Sequence, residues 1–234
     1  MNIVYSAISD RGRVRPENQD TVFLPQRYVN EDHFACTETT DSASQPLFAV
    51  FDGMGGALCG KEASVLAAQT LAAQPAGTPF ETVCQTMNDA ICRFMQENGV
   101  KAMGSTAAMV RIREDRIEYC NIGDSRIYLI DGLNMYRLST DHTVEMPGFR
   151  KALTQHLGVP KAEMLIEPHT GETPVKSGGV LLLCSDGLTD FIPEPEIGKI
   201  IITNALADAA ELLKTEALRR GGKDNISLIL IQMQ

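Results

Sequence analysis

Four aspartates in this 234-residue sequence share one local setting. Asp20, Asp52, Asp186 and Asp224 each stand at the start or end of an apolar run of strand length, and three of them are followed by Gly or Asn. Taken singly, each reads as a turn or cap residue, because an aspartate bonds its own backbone two residues on and tolerates tight turns. Taken together they suggest more. Carboxylates gathered in one place repel one another unless cations lie among them, and four negative charges balance two divalent ions, the arrangement used for in-line displacement at phosphorus. Oxygen donors, without His or Cys at metal spacing, select hard ions, magnesium or manganese, over zinc. Two such ions about 4 Å apart share a water and lower its pKa, so that it attacks a phosphate ester opposite the leaving oxygen with no covalent nucleophile. Arg15, five residues before Asp20, offers a planar fork that suits two phosphate oxygens. Alone, it would read as a solvated arginine.

Positioning these groups requires strands that end where the aspartates stand. Ile3 to Ile8, Thr21 to Leu24 and Pro46 to Phe51 read as strands, the last ending at the glycine-rich turn Asp52-Gly53-Met54-Gly55-Gly56. Helices follow. Lys61 to Gln74 is rich in Ala and Leu, and Phe80, Val83, Met87, Ile91 and Phe94 recur at helical spacing to give one apolar face. Four strands are then expected at Thr106 to Arg113, Arg116 to Ile122, Arg126 to Ile130 and Met135 to Leu138. Their short links read as hairpins, because a parallel neighbour needs a crossover of a dozen or more residues, and so predict an antiparallel meander. Asp141 to Pro160 reads as an irregular connector with a short helix around Lys151 to His156, and Met164 to Glu167 as a further strand. Val180 to Cys184 is a continuous apolar run, expected as a strand buried on both faces with Asp186 at its exit. Leu206, Ala209, Leu213 and Ala217 mark a last helix, Gly221-Gly222 stops it, and Ile226 to Ile231 forms a final strand entered through Lys223-Asp224-Asn225. Antiparallel strands with helices between them suggest two packed sheets covered by helices, a layered α+β sandwich.

Bulk properties narrow the function. The chain is 44% hydrophobic and 22% charged, enough to bury a substantial core and of a length for one domain, residues 1–234. A net charge of -9 repels nucleic acid and anionic lipid, so neither is an expected partner. The six cysteines contain no CxxC pair and lie mostly in apolar runs, which reads as free thiols in a reducing compartment. Residues 1–10 lack an apolar stretch of secretory length, and no later run approaches a membrane span. A cytoplasmic protein is expected, and a monomer, since no regular interface stripe is visible.

The order of the pieces resembles a known family. SDRGRVRPENQD (9–20), FAVFDGMGG (48–56), GSTAA (104–108), NIGDSRIYLI (121–130), LSTDHT (138–143), LLLCSDGLTD (181–190) and KDNISLILI (223–231) are similar, in family order and over nearly the whole chain, to the metal-dependent protein phosphatases of type 2C. Each piece is weak alone; their succession is specific. The resemblance implies a four-layer αββα sandwich with two central antiparallel sheets. It implies a protein serine/threonine phosphatase in which Asp20, Asp52, Asp186 and Asp224, with the Gly53 carbonyl, hold two Mn2+ or Mg2+ ions. Arg15 would clamp the substrate phosphate. Asp124, in the GDSR piece, would help hold a third, weaker ion together with Asp186, a site that bacterial members in particular display. Asn225 and Thr106 would support the site, and His142 matches a position that is more often structural. Partners would be phosphorylated proteins, the targets of a serine/threonine kinase.

Three departures stand out. Gln19 replaces a Glu common in the family, although glutamine can still bond a metal-bound water. Met54 stands where animal relatives carry a histidine proposed as general acid. The segment 141–157, which in many bacterial relatives includes a long mobile flap, is shortened, so substrate selection transfers least.

Competing readings are weaker. Residues 55–61 fit the GxxxxGK spacing of a nucleotide-binding loop, but Glu62 stands where that motif needs Ser or Thr, and the expected hairpins contradict its parallel sheet. Cys184-Ser185-Asp186-Gly187 lacks the glycines of a serine-hydrolase elbow. A catalytically silent, phosphatase-like binding domain is the remaining alternative. It would have no reason to keep every charged ligand.

Overall fold

A computed structural model describes residues 1–54, 59–145 and 152–234. Its first part runs β1 (Asn2–Asp10), β2 (Asp20–Leu24), β3 (Arg27–Val29), β4 (His33–Asp41), β5 (Leu47–Met54), α1 (Gly60–Ala72) and α2 (Phe80–Asn98). The middle holds β6 (Gly104–Ser105), β7 (Ala107–Ile112), β8 (Arg116–Ile122), β9 (Arg126–Asp131), β10 (Asn134–Arg137), β11 (Thr143–Val144) and β12 (Ala152–Leu153). β13 (His169–Pro174), β14 (Val180–Cys184), α3 (Asp186–Thr189), α4 (Glu194–Thr203), α5 (Leu206–Arg219) and β15 (Ile226–Met233) complete it.

Most of the described strands form two antiparallel sheets, ordered β10-β9-β14-β15-β1-β4 and β13-β8-β7-β5-β2-β3, with the short β6 beside β5, while β11 and β12 pair only with each other. The alternation of side chains along each strand fixes the layers. In β14, Leu181 and Leu183 face the other sheet and pack with Val22, Val50 and Ile229, while Leu182 and Cys184 face α4 and α5 and pack with Ile197, Ala209 and Leu213. Phe51, Met109 and Ile122 meet Ala67, Val83, Met87 and Ile91 of α1 and α2 on the far side of the second sheet. Three cores thus separate four layers, the αββα sandwich. β14 is buried on both faces because each face lines a different core. Among the described residues, no helix is long and apolar enough to cross a membrane. All six cysteines are unpaired, with Cys84, Cys120 and Cys184 buried.

Several expectations are corrected. The meander breaks at Gly123-Asp124-Ser125, because β8 lies in one sheet and β9 in the other. Three extended residues span about 10 Å, and stacked sheets lie about 10 Å apart, so a link this short carries the chain between layers as readily as it closes a hairpin. Gly123, at φ +96, makes that turn, and a Cβ there would stand 2.6 Å from Thr106 Cγ2. The helix expected around 151–156 is absent from its described residues: Ala152 and Leu153 form β12 and pair with Val144 and Thr143. Met164 to Glu167 is not a strand. Ile166 packs against the α1/α2 core from a loop, and the strand that pairs with β8 is β13, further on. Gly55 and Gly56 of the expected turn, residues 57 and 58 of the GxxxxGK spacing, and Lys151 lie outside the described residues.

Candidate active site

The acidic residues converge at one end of the sandwich because both sheets end there. β2 and β5 are antiparallel neighbours whose register sets Asp20 directly opposite Asp52. β14 delivers Ser185 and then Asp186, the first residue of α3, and β15 begins just after Asp224 and Asn225. The β8–β9 link brings Asp124 from the same side.

Asp20 is almost fully buried. Its Oδ2 accepts a 2.8 Å bond from the Ser185 hydroxyl, while its Oδ1, equally buried, has no hydrogen-bond partner among the described residues. An uncompensated buried carboxylate oxygen is costly and demands explanation; a cation ligated there supplies one. Burial first, then the nearby charge of Asp224, pushes the Asp20 carboxyl up to about 7, against the Ser227 and Ser185 hydroxyls and Arg15, which hold it down. Asp52 is raised well above the ordinary range, by burial and then by the charges of Asp20, Asp186, Asp124 and Asp224. Asp186 is raised likewise, by burial and then by Asp124, Asp224, Asp190 and Asp20. Asp124 is raised chiefly by burial. Five carboxylates therefore lie within one another's electrostatic reach, and four of them resist ionising without a counter-charge.

The backbone around them is pinned. Asp52 N–H donates to Thr106 Oγ1 at 3.1 Å, Thr106 N–H donates to the Asp52 carbonyl at 2.9 Å, and the Thr106 and Ser125 hydroxyls meet at 2.6 Å. Gly53 admits no side chain, since a Cβ would stand 2.0 Å from the Gly60 carbonyl oxygen. Asn225 ties the β1–β2 connection to the start of β15: its Oδ1 accepts from Gln19 N–H, and its Nδ2 donates to the Arg11 and Glu17 carbonyls. His142 grips the link that carries Asp124, accepting the Gly123 N–H on Nδ1 and donating its own N–H to the Gly123 carbonyl. Burial first, then the charge of His169, lowers its pKa, consistent with a neutral ring that accepts. Gly187 packs so tightly that a Cβ would lie 1.8 Å from the Asn225 carbonyl oxygen. Replacing Gly187 by Ala should therefore cost about 1–3 kcal/mol by overpacking and lower the melting temperature by several degrees in a thermal scan. An unchanged melting temperature would show that this contact relaxes freely.

Arg15 makes a bidentate pair with Asp224, at 2.8 and 2.6 Å. Among the described residues, no three His, Cys, Asp or Glu groups already form a closed ligand shell. Magnesium-type sites do not need one: such ions keep several waters and take one or two carboxylates each. The donor set, all oxygen with one buried oxygen unsatisfied, fits hard divalent cations. Sequence reasoning missed Ser185, which bonds Asp20 and accepts the Ser227 N–H, and Asp190, one helical turn after Asp186. Their signal was present in Cys184-Ser185-Asp186 and in the i, i+4 spacing of Asp186 and Asp190.

Residues 11–151 match the family model for protein phosphatase 2C. The chain belongs to the protein phosphatase 2C family. As a member it is a phosphoprotein phosphatase. It is 32% identical to protein phosphatase PhpP of Streptococcus pneumoniae, over 97% of this chain and 96% of that one. The alignment spans 254 positions, more than the chain's own 234 residues, so PhpP carries residues that this phosphatase lacks. A crystal structure of the Mycobacterium tuberculosis serine/threonine phosphatase PstP superimposes with a TM-score of 0.81 at 26% identity, covering 100% of both chains. The catalytic domain of PstP in complex with two manganese ions gives 0.78 at 27% identity, over 99% of each. The nucleotide-loop reading falls with the family and with the sheet itself, since β5 is antiparallel to both β2 and β7.

Proposed function

We propose that this phosphatase hydrolyses phosphoserine and phosphothreonine in proteins with divalent cations, Mn2+ or Mg2+, held by Asp20, Asp52, Asp186 and Asp224 and the Gly53 carbonyl. One observation carries the metal reading: a buried Asp20 oxygen without a hydrogen-bond partner among the described residues, on a carboxylate set opposite Asp52. The serine/threonine names of its relatives and the two manganese ions of PstP support it. Such ions supply charge neutralisation for phosphate oxygens and a lowered pKa for water. The chain's own groups do the rest. Ser185 orients Asp20, Thr106 fixes the Asp52 backbone, and Arg15 exchanges Asp224 for two oxygens of the substrate phosphate. Water is consumed and inorganic phosphate leaves, with the protein hydroxyl regenerated. Asp124, beside Asp186 and held by the His142 clasp, would take part in a third, weaker cation site. The same reading makes the protein a cytoplasmic monomer of one domain, acting on the targets of a serine/threonine kinase.

Dephosphorylation of phosphoserine and phosphothreonine peptides should need added manganese, vanish on chelation and return when the ion is restored, as free phosphate release will report. Hydrolysis indifferent to chelator would overturn the metal reading. No hydrolysis at any metal concentration would leave a silent, phosphatase-like domain.

A further inference from the structure

Six of the chain's 21 lysines and arginines lie in two short stretches, 11–15 and 219–223, although the whole molecule carries a net charge of -9. The fold clamps these stretches together at the mouth of the acidic site. Arg13 N–H donates to the Gly222 carbonyl at 2.8 Å, and Gly12, at φ +78, packs so closely that a Cβ would stand 2.2 Å from the Asp224 carbonyl oxygen. Four of the six cations are already engaged: Arg11 with Asp32, Arg15 with Asp224, Arg219 with Glu216 and Arg220 with Glu196. Arg13 and Lys223 are exposed, and their side chains take no hydrogen bond or ion pair among the described residues.

Their placement is specific. A Cβ on Gly222 would lie 3.2 Å from Arg13 Cγ, and one on Gly221 would lie 3.6 Å from Lys223 Cγ, so both side-chain stems lie against one two-residue turn. Arg13 is two residues from Arg15, Lys223 is next to Asp224, and Val14 between the arginines is 66% exposed. A phosphorylated side chain reaching Arg15 must bring its flanking residues past this lip. In a protein whose overall charge repels acidic chains, two free cations beside the entry favour exactly one sign of neighbour.

We propose that Arg13 and Lys223 select substrates in which acidic side chains flank the phosphorylated residue, Asp or Glu pairing with the two cations while Arg15 takes the phosphate. This rests on the phosphatase reading above. Exposed ion pairs are individually weak and screened by salt. Two of them should give about a three- to tenfold higher kcat/KM for a phosphothreonine peptide with Asp and Glu flanks than for the same peptide with Ala flanks. The difference should sit in KM and fade at high salt.

The test compares the wild-type protein with R13E/K223E and R13A/K223A on acidic, alanine and lysine-flanked phosphopeptides, with p-nitrophenyl phosphate as a substrate that has no flanks. The inference expects charge reversal to invert the peptide order, the alanine pair to level it, and p-nitrophenyl phosphate turnover to stay unchanged in both. Equal kcat/KM for acidic and alanine peptides in the wild type would overturn this inference alone, as would a preference that survives charge reversal. A parallel fall in p-nitrophenyl phosphate turnover would assign the two residues a structural role instead. A wild-type protein that hydrolyses neither peptide nor p-nitrophenyl phosphate would overturn the phosphatase reading, and this with it.

Discussion

Replacing Asp186 by Asn should lower manganese-dependent hydrolysis of p-nitrophenyl phosphate by about a hundred- to a thousandfold, the range seen when one electrostatic element of a preorganised site is removed. The reason lies in where the residue stands. Asp186 leaves β14 at the first position of α3, and its carboxyl is raised by burial and by Asp124, Asp224, Asp190 and Asp20 together. It is the group on which the proposed core ions and the proposed third ion both depend. Asparagine keeps the volume and one oxygen but removes the charge, so the backbone of α3 has no reason to move. The comparison to make is kcat and the half-activating manganese concentration for both proteins, alongside their far-ultraviolet circular dichroism. A variant with full activity and an unchanged manganese requirement would remove Asp186 from the site.

How much of this was legible in the sequence depends on which physical signal each segment carries. Val180 to Cys184 could be read, because an unbroken apolar run must be buried on both faces, and here each face does line a core. The aspartates could be read because they follow or precede such runs. β4 could not: its residues HFACTETTD alternate between partly buried and exposed along a sheet edge, so the apolar signal is thin. β13 failed for the same reason, its HTGETP being polar throughout, while the apolar Met164 to Ile166 nearby drew the assignment to a loop. The β8–β9 link failed for a different one. Link length sets only an upper limit on the distance crossed, and three residues reach both the roughly 5 Å to a hairpin partner and the roughly 10 Å between stacked sheets. That error mattered, since Asp124 is not the tip of a hairpin but sits where the chain crosses between sheets, which is what brings it to the acidic cluster. Ser185 was missed because a serine beside an aspartate says nothing until its partner, Asp20, arrives from 165 residues away.

Without metal, the protein should become less stable as the pH rises from about 4 to 7, and Asp20→Asn should remove part of that loss. In the fold the Asp20 carboxyl is pushed up to about 7 from an ordinary 3.8, so the folded chain holds a proton that the unfolded chain has released. The stabilisation from that proton is complete below about pH 4 and is lost as pH climbs through 7. A shift of this size corresponds to at most about 4 kcal/mol, roughly 8–16 °C in melting temperature for a chain of this length. Asp52 and Asp186 are raised in the same sense, so the variant should recover only a share of it. Manganese acts in the opposite direction: it binds the ionised carboxylates, so its stabilisation should grow with pH and be largest in the wild type. Asn at position 20 should thus raise the metal-free melting temperature at pH 8 while shrinking the gain from manganese. Thermal scans at several pH values, with and without the ion, separate the two effects. A metal-free melting temperature that stays flat from pH 4.5 to 8 would mean that the buried carboxylates find their counter-charge within the chain, and the need for cations at Asp20 would disappear with it.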